Sequence, residues 1–129
     1  MQIKIKQTGD TTSQAVVREH RVVIDRPTEK GGHDKGPMGG ELLLIGLGGC
    51  FMSNLLAAIK ARKTDITGVE TVVSAILVDS PPQIDAINIA VSAQYSDFSV
   101  LKKLITIAER NCIVSNTLRR GLQITININ

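Results

Sequence analysis

The sequence predicts an α+β fold, and three observations lead there. Segments with the two-residue alternation of strands gather at the start, the middle and the end of the chain, and segments with three- and four-residue apolar spacing lie between them. The resulting order is βββ-α-ββ-α-(α)-β, in which strands and helices segregate rather than alternate strictly, as in α+β domains. The length of 129 residues suffices for one core, and no repeat or linker divides it. Residues 1–129 are therefore expected to form a single domain.

Each element has its own signal. Residues 1–6 alternate Ile3 and Ile5 with Gln2, Lys4 and Lys6, the period of a half-buried strand. Thr8-Gly9-Asp10-Thr11 is a turn cluster, and residues 15–18 and 20–25 read as the next two strands. Residues 26–40 hold five glycines and two prolines. That is long for an ordinary connection, and such loops tend to carry function or motion.

Residues 41–62 form the longest helical candidate. Leu44, Leu47, Phe51, Leu55, Ala58 and Ile59 recur at helical spacing. Residues 69–78 and 84–95 are β-branched and roughly alternating, split by Pro81-Pro82, and read as an antiparallel pair. Residues 98–110 place Leu101, Leu104, Ile105 and Ala108 on one helical face. A short helix is expected at 114–118, a break at Gly121, and a cleanly alternating last strand at 122–129. Gly46, Gly48 and Gly49 lie inside the long helix, where each costs about 0.5–1 kcal/mol relative to Ala. Helical spacing puts Gly46 and Gly49 near Cys50 and Ser53. Either close packing or room for a substrate around a thiol would compensate.

Composition excludes some functions. One Tyr, two Phe and no Trp leave few surfaces on which single-stranded nucleic acid could stack. A net charge of +3 without a block of like charges gives no nucleic-acid footprint. Residues 1–10 lack the apolar core of a secretory signal. The longest apolar run is interrupted by Gly and Ser and ends in charges, against a membrane span. The expected compartment is the cytosol, where thiols stay reduced.

The two cysteines, Cys50 and Cys112, then have three readings: buried small hydrophobes, a structural disulfide or a redox couple. Together with His20 and His33 they could supply four zinc ligands, but no two of these have close paired spacing, so no metal or cofactor is expected.

Four stretches bear on the choice: Asp25-x-Pro27, Gly31-Gly32-His33-Asp34-x-Gly36-Pro37, Glu41-Leu-Leu-Leu-Ile-Gly-Leu-Gly-Gly-Cys50 and Ala108-Glu109-x-x-Cys112-x-Val114-x-x-Thr117-Leu118. They resemble the OsmC/Ohr family, named for osmotically inducible protein C and organic hydroperoxide resistance protein. The resemblance implies a two-layer α+β domain, an intertwined homodimer and a cysteine pair at the long central helix. It implies a thiol peroxidase acting on organic hydroperoxides, with Cys50 as the attacking thiol and Cys112 as the resolving one. A dithiol reductant, lipoyl-bearing in some members, would regenerate the pair.

In that family an arginine held by a glutamate stabilises the thiolate. Gly40 occupies the usual glutamate position, ten residues before the cysteine, and Glu41 lies nine before. Glu41 and Arg21 are taken as the activating pair. Cys50 sits mid-helix, too far from that helix's own N-terminus to draw on it, so a cation is expected to supply the charge. The competing reading is a non-catalytic relative that binds a small apolar or thiol-reactive ligand at the dimer interface.

Overall fold

The computed structural model describes residues 1–129 and resolves them into two compact units, Met1–Leu43 and Leu44–Asn129. In the first, β1 (Lys4–Gln7), β2 (Ser13–Val17) and β3 (His20–Ile24) form an antiparallel meander in sequence order. Ala15 pairs with Ile5 on one side and Val22 on the other, and is itself buried.

The loop after β3 is organised by one carboxylate. Asp25 is 2% exposed. It accepts hydrogen bonds from the hydroxyls of Thr11 (2.9 Å) and Thr12 (3.4 Å). Backbone N–H groups of Arg26 (2.8 Å), His33 (3.2 Å) and Lys35 (3.2 Å) also donate to it. A buried charge so surrounded is satisfied rather than orphaned. The loop is thus an ordered structure, with a 3-10 turn at Thr28–Lys30. A side chain at Gly36 would lie 2.2 Å from the Val23 carbonyl oxygen, which accounts for a glycine there. His33 Nε2 lies 2.9 Å from Asp10.

The long helix α1 (Gly39–Arg62) starts in the first unit and supplies the centre of the second. By length and apolarity it could span a membrane, yet Leu47, Phe51, Leu55 and Ala58 form a buried stripe along it. They pack with Ile66 and with Leu101, Leu104 and Ala108 of α2 (Phe98–Arg110). Between these helices in the chain lies a long hairpin, β4 (Thr67–Asp79) and β5 (Pro82–Gln94), paired as Val73 to Ile89 and Ala75 to Ile87. Val69, Ile87, Ile89, Val91 and Ala93 pack against the core. Burying a side chain such as Leu55 or Leu104 completely contributes about 1.5–3 kcal/mol.

Glycine explains how closely the helix meets the hairpin. A Cβ on Gly48 would stand 2.8 Å from Val73 Cγ2. Gly46 and Gly49, the two singled out by helical spacing, have no such neighbour within 4 Å. The packing glycine is therefore Gly48, on the buried side.

α2 begins at Asp97, whose side chain accepts from the Ser99 N–H at 2.8 Å, a standard N-cap. α3 (Ile113–Arg120) follows after a two-residue corner and ends at Gly121, whose φ of 76° is left-handed. The strand expected at 122–129 does not form within the chain. None of its residues pairs with β1–β5. Leu122, Ile124, Ile126 and Ile128 are 71–100% exposed. A strand needs a ladder partner for its backbone groups, and this segment finds none in its own chain.

Candidate functional site

The chain brings together two thiols that are 62 residues apart in sequence. Cys50 lies in the middle of α1, half-buried, and packs against the core; Cys112 is 0% exposed. Both are free. Cys112 is the N-cap residue of α3, and its sulfur accepts the Ser115 N–H at 3.4 Å. The corner before it is fixed by the Cys112 N–H, which donates to the Glu109 carbonyl at 3.2 Å.

The environment moves the two thiols in opposite directions. Burial pushes Cys50 up, but the backbone N–H of Val114, the thiol of Cys112 and the N–H of Ile113 outweigh it and leave Cys50 more acidic than an ordinary thiol. Burial pushes Cys112 up as well. The Ser115 N–H pulls it back, while the hydrogen bond and the charge of Cys50 add to the rise. Cys50 is thus the more acidic thiol of the pair and Cys112 the less acidic one.

The structure adds a source of acidity beside the expected cation. Cys50 is indeed far along its own helix, but the N-terminus of a different helix, α3, faces it. Unpaired N–H groups in a helix's first turn stabilise an anion. Sequence spacing within α1 gives no sign of them. A cysteine immediately before a short helix, three residues from Ser115, is the signal that could have revealed the cap.

A second residue escaped notice. Asn54 lies one turn after Cys50 on α1. Its Nδ2 donates to the Cys50 carbonyl at 3.0 Å and to the Asn111 carbonyl at 3.3 Å, and lies 3.9 Å from Cys50 Sγ. Its trace in the sequence is a carboxamide four residues past the cysteine in an otherwise apolar run.

Glu41 and Arg21 lie in the N-terminal unit, each with a local partner. The Glu41 carboxylate accepts the Met38 N–H at 2.7 Å, at the start of α1, a place that suits a negative charge. Arg21 on β3 donates to the Gln14 side chain of β2 at 3.0 Å.

Against known proteins, the family model described as OsmC-like protein matches residues 32–127. No curated protein sequence matches. Solved structures share the fold. An OsmC like protein from Mycoplasma pneumoniae is 22% identical, with a TM-score of 0.80 over 99% of this chain and 93% of that one. An organic hydroperoxide resistance protein OsmC from Legionella pneumophila is 20% identical, with a TM-score of 0.65 over 92% and 90%. The organic hydroperoxide resistance protein OhrB of Bacillus subtilis is 20% identical, with a TM-score of 0.62 over 94% and 92%.

Proposed function

We propose that this chain, which belongs to the OsmC-like protein family, is a thiol-dependent peroxidase that reduces organic hydroperoxides. The observation that carries the reading is the acidified Cys50 beside a protonated Cys112. Two solved structures of the same fold are named for organic hydroperoxide resistance.

The chemistry follows from the arrangement. The thiolate is the nucleophile, and the α3 N–H groups favour it at Cys50. Its sulfur attacks one oxygen of the peroxide, the O–O bond breaks, the alkoxide leaves and takes up a proton as the alcohol, and Cys50 becomes a sulfenic acid. The charge that had held Cys112 protonated is then gone, so Cys112 ionises more readily. Its thiolate attacks the Cys50 sulfur, the S–O bond breaks and water leaves, giving the disulfide. A dithiol, such as a lipoyl group, returns two electrons and two protons to restore both thiols. The order of attack is thereby built into the pair. Glu41 and Arg21 enter the proposal only as auxiliary groups.

The reading includes a homodimer. Residues 122–129 carry four alternating apolar side chains and no partner strand. Ile45 and Leu56 on α1 and Val72 and Ile76 on β4 are also exposed. A second copy would pair the tail and cover such surface. The cytosol suits a cysteine pair that must return to the reduced state. Peroxide consumption by the reduced protein, compared with Cys50→Ser, tests the function. Unchanged consumption by the serine variant would end it.

A further inference from the structure

We propose that Asn54 is the positioning residue of the thiol pair: its carboxamide ties the Asn111–Cys112 corner to the Cys50 turn of α1 and so holds the start of α3 against the Cys50 sulfur. The inference rests on the reading of Cys50 and Cys112 as redox partners, but on none of the peroxide chemistry.

The geometry carries it. Asparagine is a poor residue for a helix interior, and between Leu42 and Ile59 only Ser53 and Asn54 bear polar side chains apart from Cys50 itself. Ser53 is exposed, whereas Asn54 is half-buried. Each Nδ2 proton has an acceptor. One bonds the Cys50 carbonyl at 3.0 Å, which fixes the rotamer within α1, and the other reaches the Asn111 carbonyl at 3.3 Å.

Asn111 is the C-cap of α2, so its carbonyl is among those a helix end leaves without an internal partner. The next residue, Cys112, is the N-cap of α3. One side chain thus spans α1, the end of α2 and the start of α3 at the point where the two thiols meet. The same Nδ2 stands 3.9 Å from Cys50 Sγ, so the carboxamide also lies against the sulfur.

A substituent without the donor should loosen the corner and withdraw the α3 N–H groups from the sulfur. Asn54→Leu keeps the branch point and the number of heavy atoms and loses the donor. Asn54→Asp keeps the shape but presents acceptors to a carbonyl and a thiolate. Asn54→Gln keeps the donor on a longer arm.

The test reads the Cys50 pKa from the pH dependence of iodoacetamide alkylation, with the modified site mapped by peptide. It also reads the equilibrium of the pair with glutathione disulfide, which takes two electrons from the two thiols, closing Cys50–Cys112 and releasing two molecules of glutathione. Asn54→Leu is expected to raise the Cys50 pKa by about one unit, a tenfold loss of thiolate at neutral pH, and to shift the glutathione equilibrium toward open thiols by a similar factor. Asn54→Asp should shift both further, and Asn54→Gln should recover part of each. Unchanged pKa and equilibrium in the Leu and Asp variants, with only the melting temperature lowered, would overturn the inference. If the Leu variant does not fold, the Gln and Asp variants decide it by the same readouts. Neither readout involves peroxide, so an inactive peroxidase and a passive Asn54 give separate results.

Discussion

Cys112 neighbours Cys50, and each thiol changes the other: the pair makes Cys50 more acidic and Cys112 less acidic than an ordinary thiol. Two cysteines of equal acidity would compete for an electrophile. Here Cys50 is the more acidic of the two.

The first prediction concerns that asymmetry. Alkylation of the reduced protein across pH should modify Cys50 first, with an apparent pKa below that of a free cysteine, and Cys112 only at higher pH. In Cys50→Ser the neighbouring charge is gone, so Cys112 should titrate lower than in the parent while remaining shielded by burial. Peptide mapping after timed alkylation measures both.

A second prediction separates the roles. Cys50→Ser should abolish hydroperoxide consumption. Cys112→Ser should still consume about one equivalent and stop as a sulfenic acid, which dimedone traps. Glu41→Ala and Arg21→Ala should each slow consumption by less than about tenfold. Glu41→Ala should also cost about 0.5–1 kcal/mol in urea unfolding, because it frees the Met38 N–H at the start of α1.

The helix–hairpin contact gives a third. Gly48→Ala should destabilise the protein by about 1–3 kcal/mol, since the new methyl meets Val73 Cγ2. Adding Val73→Ala should recover part of the loss relative to the Val73→Ala single change, which a double-mutant cycle in urea would show.

The Asp25 cluster sets a fourth. Burial raises this carboxyl, but hydrogen bonds from the Arg26 N–H, Thr11, the Lys35 N–H and the His33 N–H overcome it, and its pKa falls from 3.8 to about 2. The folded-state value lies below the unfolded one. The stabilisation is therefore complete above about pH 4 and is lost as pH falls toward 2. Asp25→Asn should lower the melting temperature at neutral pH and flatten its decline on the acid side.

A fifth follows from the unpaired tail. Removal of residues 122–129 should convert a dimer into a monomer by sedimentation, with the thiol pair of the second unit still present. Sedimentation of the full chain as a monomer would contradict the dimer proposal.

Much of the fold was legible because local chemistry announced it. The helix at residues 98–110 is written in the apolar spacing of Leu101, Leu104 and Ala108, its buried stripe, and in Asp97, which caps it. The paired strands β4 and β5 followed from β-branched alternation. What stayed hidden depends on docking. Helical spacing cannot tell which side of α1 meets the hairpin, so Gly46 and Gly49 drew notice while Gly48 makes the contact. The tail reads as a strand from its alternation, but a ladder partner is a property of the assembly rather than of the segment. The groups that acidify Cys50 are backbone N–H groups more than sixty residues away, and backbone leaves no mark in side-chain patterns.

The most direct test treats the reduced protein with one equivalent of an alkyl hydroperoxide, counts free thiols and maps the bonds formed. Both thiols should disappear together, with Cys50 and Cys112 joined within one chain. Two free thiols of ordinary reactivity after excess hydroperoxide would contradict it and favour a non-catalytic, ligand-binding protein.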